Sequence, residues 1–399
     1  MQPLQPLPTL DSVAELLDAA VREQVAPGIA ASVLVGGALV HESWHGEAQL
    51  VPARRPLLPG DVFDVASLTK VVCTTTLCAL LVDANDLNLE APVASLLPAF
   101  AQGGKSEITV QHLLAHASGL AGWRPYFALA MDDSIAGRAF LPPAERPHDL
   151  AAALERGLEL VRHALLSEAA ETTPLQRAVY SDPGFMTLGW VLEAVTHESL
   201  DRLFATRIAA PLGLADTFFL PWRTTPSAAR VLHQSHRFVA TENCEHRHEV
   251  NCGMVNDDNA WAMGSVAGHA GLFATPGDTA RLGQMWLDAL LDRPALVSTP
   301  TARRFATRDS TAASTRALGW DTPSAAGSSL GARLGRGPRG AIGHLGFTGT
   351  SLWVDIDHEV VCVLLTNRVH PSRANEAIKQ LRPRFHDTVA AALAIGAPA

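Results

Sequence analysis

Phe63-Asp64-Val65-Ala66-Ser67-Leu68-Thr69-Lys70 is the stretch on which the reading of this chain turns. Residues 61–66 read as a short extended run. The following Val71 to Val82 is almost entirely apolar or small, which predicts a helix buried on most sides. Positions i and i+3 share a helix face, so the Lys70 amine can reach the Ser67 hydroxyl. Lysine is scarce: of 31 basic residues only three, Lys70, Lys105 and Lys379, are lysine. Arginine keeps its proton in a protein, whereas lysine can give its proton up. A serine hydroxyl is a weak nucleophile until a neighbour takes its proton, so the pair reads as a nucleophile with its activator. With 22 serines and three lysines in the 399-residue chain, about 0.17 Ser-x-x-Lys matches arise by chance. The alternative, a lysine on a solvated helix face, fits poorly beside so apolar a stretch. Ser67 then lies near the helix N-terminus, where free N–H groups and the dipole favour developing negative charge.

Two further segments carry chemistry. Tyr180 is one of two tyrosines and opens Tyr180-Ser181-Asp182-Pro183-Gly184, a turn before a predicted helix. A phenol can shuttle a proton if a nearby cation favours its phenolate; otherwise it is a tyrosine at the rim of a core. Gly343-His344-Leu345-Gly346-Phe347-Thr348-Gly349-Thr350-Ser351 is strand-like but rich in glycine. That combination suits close approach of a ligand or another backbone, or else a bulge or corner.

The order Ser67-x-x-Lys70, Tyr180-x-Asp182, His344-x-Gly346 resembles the serine β-lactamase and penicillin-recognising superfamily. The tyrosine points to its class C-like branch, with esterase and D-peptidase relatives. Ile108 to Leu120, which holds Leu113-Leu114-Ala115-His116-Ala117-Ser118-Gly119, and Gly268-His269-Ala270-Gly271-Leu272 are similar to two other stretches of that branch. The resemblance covers roughly residues 10–370. It implies an α+β fold of β-lactamase/transpeptidase type: an antiparallel sheet flanked by helices, with an inserted, mostly helical domain. It also implies a serine hydrolase working through an acyl-enzyme. In that reading Ser67 is acylated, Lys70 and Tyr180 handle its proton, and the N–H groups of Ser67 and Phe347 form the oxyanion hole. Asp182, His344, Gly346 and Thr348 lie on the substrate side. Whether Lys70 or Tyr180 is the working base stays open.

Two departures bear on substrate. Asp182 stands where the family has Asn; an ionised carboxylate only accepts hydrogen bonds, and it favours a charged Lys70, shifting base duty toward Tyr180. Leu345 replaces a threonine, and His344 is a less certain cation than lysine. These changes suit an uncharged ester or amide better than an anionic lactam or a free D-alanine carboxylate, so a carboxylesterase-like activity is expected. β-Lactamase, D-aminopeptidase or DD-peptidase and acyltransferase activities are the alternatives, as is a slow-turnover sensor on the same fold.

Net charge is −9 with no basic run, which leaves nucleic-acid binding without an electrostatic footprint. No apolar run of membrane-spanning length occurs, so no membrane partner is expected. The N-terminus shows no basic start or apolar core of a signal peptide, which predicts a cytoplasmic protein, or a periplasmic or secreted one if the start is trimmed. Cys73, Cys78, Cys244, Cys252 and Cys362 form no disulfide framework. Cys244-Glu245-His246-Arg247-His248 with Cys252 invites a zinc reading, but the spacing matches no standard site, and no metal or cofactor is expected. No Gly-x-Ser-x-Gly occurs, so the α/β-hydrolase elbow is not supported.

Periodicity predicts helices near 9–24, 109–116, 148–166, 184–196, 198–208, 277–292 and 372–394. Strands are predicted at 28–36 and 38–46, joined at Gly36-Gly37, and at 316–321, 350–356 and 359–366. Residues 122–147, 221–260, 302–316 and 323–340 read as loops. The expected division is an α/β body from 1–83 plus 311–399 and a helical body from 84–310, with the site at their seam.

Overall fold

A computed structural model describes residues 10–223, 235–311 and 314–396. Six antiparallel strands form one sheet. From edge to edge they are Arg55–Pro56, Ala38–Gln49, Gly28–Val35, Val360–Thr366, Ser351–Asp355 and Ala341–Leu345. The chain's two ends thus meet at the sheet centre, where Ile29 pairs with Thr366 and Val35 with Val360. The hairpin turns at Gly36 (φ +56°) and Gly37 (φ +83°), a pair of left-handed residues that glycine adopts without strain.

Period-two alternation sends side chains to two cores. Ile29, Ala31, Val33, Trp353, Cys362 and Leu364 pack under the terminal helices Asp11–Arg22 and Ile378–Ala392. Ala30, Leu34, Leu352, Val354, Val361, Val363 and Leu365 face the larger core shared with the middle of the chain. Both faces of the central strand Val360–Thr366 are covered, which is why it is apolar up to its last residue, Thr366. The helix Pro276–Leu290 lies on this inner face; an added Cβ at Gly283 would come 2.6 Å from Val361, so glycine lets the helix approach the sheet.

The nucleophile helix begins beyond Ser67 as the π-helical Lys70–Thr75 and continues as Thr76–Asp83. Every side chain of Lys70–Thr75 is buried. Two of its threonines bond to carbonyls, Thr74 to Gly268 at 2.6 Å and Thr76 to Val71 at 2.7 Å. The helix Asp182–Thr196 is capped by Ser181, whose Oγ accepts from the Gly184 N–H at 3.0 Å.

Several local expectations change. Residues 316–321 form no strand, only bridges from Asp321 to Arg316 and Gly343, because the chain turns at Gly319 (φ +81°) against Thr75. The 302–316 loop is partly helical, since Thr299–Ala306 starts on a Ser298 cap. The 122–147 loop holds Phe127–Asp132 and a 3₁₀ turn at Ala136–Phe140. Of the 221–260 loop, 224–234 lies outside the described residues; the rest contains the paired Asn243–Cys244 and Glu249–Val250 and the helix Asp258–Ala262. No helix among the described residues is long and apolar enough to cross a membrane. All five cysteines are free thiols.

Candidate active site

Ser67 sits on a strained turn. Ala66 before it has φ +48°, a left-handed conformation that costs a non-glycine residue on the order of 1 kcal/mol. The surroundings hold it there. The Ala66 N–H donates to Asp64 Oδ1 at 2.8 Å, and Asn256 N–H donates to the other Asp64 oxygen. Thr348 Oγ1 donates to the Asp64 carbonyl at 2.8 Å and Thr350 Oγ1 to the Val65 carbonyl at 3.0 Å. Burial pushes the Asp64 carboxyl up to about 6, against the pull of its two amide donors.

Lys70 is fully buried. Its Nζ donates to Ser67 Oγ at 3.0 Å and to the His269 carbonyl at 3.1 Å, and it lies 2.7 Å from Asp182 Oδ1. Burial alone would lower the Lys70 pKa; Asp182 and Tyr180 together outweigh it, and the net shift is upward. Lys70 is therefore an ammonium at neutral pH, as the Asp182 substitution predicts.

Tyr180 lies between two histidine rings, His116 at 4.7 Å and His344 at 5.9 Å between centroids. Lys70 Nζ is 4.8 Å and Arg316 Cζ 5.2 Å from its ring centre. Burial raises the phenol, and although Lys70 and Ser67 oppose it, the net shift is upward. The phenol is protonated at rest. His116 positions this segment: its Nδ1 accepts the Ser181 N–H at 3.0 Å. Burial, then Arg316 and Lys70, hold His116 well below the ordinary histidine value.

His344 lies on the edge strand Ala341–Leu345 and is buried. Burial, then Lys70 and Arg316, keep it neutral. Its Nδ1 donates to the Leu345 carbonyl at 2.8 Å, leaving Nε2 as a buried lone pair without a partner. Gly346 is required by space: an added Cβ would come 2.0 Å from Thr350 Oγ1 and 2.6 Å from the Val65 carbonyl. Among the described residues, neither the Ser67 nor the Phe347 N–H donates to a protein acceptor.

These groups open on a cleft of about 540 Å³. Ser67, Tyr180, Asp182, His344, Gly346 and Phe347 line it; Thr348 does not, because its hydroxyl is spent on the Asp64 carbonyl and its side chain is fully buried. Trp123 and Phe347, about half exposed, provide apolar surface at the cleft. Sequence reasoning missed the cations that line it, Arg316, Arg368, Arg373, Lys379 and Arg382. No short motif marks them. Arg368 and Arg382 have no carboxylate partner among the described residues and bond to backbone carbonyls instead. Asp257 was also missed; burial would raise its carboxyl, but the His269 ring 3.0 Å away and further donors bring it to about 2.

The Cys244 to Cys252 segment does not gather into one ligand set. Cys244 Sγ lies 3.6 Å from Asp258, Cys252 Sγ donates to the Phe238 carbonyl, and His246 packs on Phe127. The group that does converge, Glu242, Cys244 and Asp258, has Arg373 on Glu242 and Arg247 on Asp258.

A family model described as Beta-lactamase matches residues 13–383. The chain belongs to the beta-lactamase family. A protein of Salmonella typhi with a provisional D-alanyl-D-alanine carboxypeptidase name is 30% identical over 329 residues, covering 79% of this chain and 72% of the relative. Among solved structures, EstCE1, titled a hydrolase with promiscuous acyltransferase activity, aligns with TM-score 0.68 at 20% identity over 94% of this chain and 98% of that one. A penicillin-binding protein homologue from Caulobacter crescentus aligns with TM-score 0.69 at 18% identity over 96% and 97%. At these identities the two structures speak for the fold, which is of the β-lactamase/transpeptidase type. Family membership together with the named relatives makes this a serine hydrolase.

Proposed function

We propose that this serine hydrolase acts on small ester or amide substrates through an acyl-enzyme on Ser67, with carboxylesterase-like specificity. The observation that carries the reading is the 3.0 Å contact between Lys70 Nζ and Ser67 Oγ inside a site where Lys70 has no access to water. In this reading Ser67 Oγ attacks the carbonyl carbon. Lys70 and Tyr180 guide its proton toward the leaving group. The free N–H groups of Ser67 and Phe347 receive the oxyanion, a placement supported by their lack of protein acceptors. Water then releases the acid, or an alcohol or amine takes the acyl group. Trp123, Phe347 and Leu345 support an apolar acyl chain in the cleft. A fluorophosphonate should label Ser67, identified by peptide mapping, and Ser67→Ala should end turnover of p-nitrophenyl esters. Wild-type rates in Ser67→Ala would overturn the reading.

One observation favours a second reading. Arg316, with Arg368 and Arg382, brings to the cleft the positive charge that His344 lacks, and this suits a substrate with a carboxylate, as the carboxypeptidase name of the Salmonella relative suggests. Side-by-side rates on p-nitrophenyl butyrate, nitrocefin and a D-alanyl-D-alanine peptide separate the two. An Arg316→Ala variant that loses activity on the peptide alone would favour the carboxylate reading.

A further inference from the structure

The resting site poses a problem of proton destination. Ser67 must lose its proton as its oxygen attacks, yet Lys70 already carries its full complement and Tyr180 keeps its own. His344 has a free Nε2 lone pair, but it makes no hydrogen bond to Ser67 or Lys70 and is a poor base in this surrounding. The carboxylate in reach is Asp182. It begins the helix Asp182–Thr196, lines the cleft and lies against Lys70. Oδ1 is buried, lies 2.7 Å from Lys70 Nζ and meets no other donor among the described residues. The other charged and titratable groups packed around the pair are Tyr180, His116, His344, Arg316, Asp257 and His269.

We propose that Asp182 takes up the Ser67 proton, through Lys70, during acylation. The inference rests on Ser67 being the nucleophile. One Lys70 N–H bond breaks as its proton passes to Asp182 Oδ1, and the lone pair so freed on Nζ takes the Ser67 proton while the Ser67 O–H bond breaks and the Oγ–carbon bond forms. The ammonium is thereby preserved, and the charge removed from the carboxylate appears on the oxyanion. When the tetrahedral intermediate collapses, the bond to the leaving group breaks. The proton returns from Asp182 through Lys70 to the leaving oxygen or nitrogen. Deacylation runs the same relay with water in place of Ser67. Lys70 is never required to be neutral at rest, which a buried lysine paired with a carboxylate could not be.

The test is the pH dependence of kcat/KM on p-nitrophenyl butyrate for wild type, Asp182→Asn and Asp182→Glu. Removing the carboxylate deprives Lys70 of the charge that holds its proton, so the amine must now serve as base. Asp182→Asn is expected to lose about 100-fold at pH 7. Its acid limb should move up by about two pH units, with activity recovering at alkaline pH as Lys70 deprotonates. Asp182→Glu should keep the wild-type limb. Rates in mixed H₂O and D₂O should curve for wild type, with two protons in flight, and run straight for Asp182→Asn. A limb that stays in place in Asp182→Asn, with rates lowered evenly or unchanged, would overturn the relay. Fluorophosphonate labelling separates the two layers: Ser67 labelled with an unmoved limb defeats the Asp182 step alone, whereas a wild type unlabelled at Ser67 defeats the nucleophile assignment and the relay with it.

Discussion

Thr350 Oγ1 donates to the Val65 carbonyl at 3.0 Å, tying the end of the edge strand to the turn that presents Ser67. Thr348 makes the matching bond one residue earlier, to Asp64. The glycine-rich segment after His344 therefore holds the nucleophile turn from one side while Asp64 holds it from the other. Positioning of Ser67 depends on contacts between residues nearly 300 positions apart.

Gly346→Ala follows directly. Its Cβ would meet Thr350 Oγ1 at 2.0 Å and the Val65 carbonyl at 2.6 Å, neither of which can swing away freely. The edge strand must retreat, at a cost of about 1–3 kcal/mol, and the Phe347 N–H retreats with it. A lower melting temperature together with a fall in kcat larger than the change in KM is the expected result.

Lys70→Arg preserves charge but cannot pass a proton onward. Activity on p-nitrophenyl esters should drop by about 10³-fold or more with far-UV circular dichroism unchanged. The guanidinium is also too large for a site with no exposed surface, so Lys70→Met is the companion variant. Both should be equally inactive.

Asp64 links pH to stability. Its folded pKa is raised to about 6 from an ordinary 3.8, so between those values the native state binds more proton than the unfolded chain. The associated stability is present below about pH 4 and lost as pH rises through about 6, amounting to roughly 3 kcal/mol at most. In Asp64→Asn this part of the slope should vanish from urea midpoints measured across pH 4–7. The variant should also lose about 1–3 kcal/mol overall, because an amide oxygen cannot accept from both Ala66 and Asn256 with an –NH₂ in place of the second oxygen.

Trp123→Ala and Phe347→Ala probe the acyl side of the cleft. Each should raise KM for p-nitrophenyl octanoate about 10-fold, with acetate nearly unaffected, because only a long chain reaches the apolar surface that they provide. Equal effects on both esters would show that these rings shape the site itself.

Much of the site could be read from the chain. Ser67 and Lys70 are one turn apart, so their meeting is a matter of local geometry. Tyr180 stands out by rarity and by the turn that follows it, and Asp182 by its charge, which predicts the charged state of Lys70. The strands at both ends and most of the helices follow from periodicity. Other features left no local trace. Arg316 meets the Tyr180 ring across 136 positions of sequence, which no local pattern shows. His116 orients the Tyr180 segment through a bond spanning 65 residues. Thr348, placed with the substrate, serves the Asp64 carbonyl instead.

Sequence alone determined which reactive groups this protein owns and which neighbours within a turn or two they meet, because those follow from spacing and backbone geometry. Tertiary structure decided which of them are protonated at rest. Proton affinity responds to lost water and to charges brought alongside, and both are set by packing between segments hundreds of residues apart.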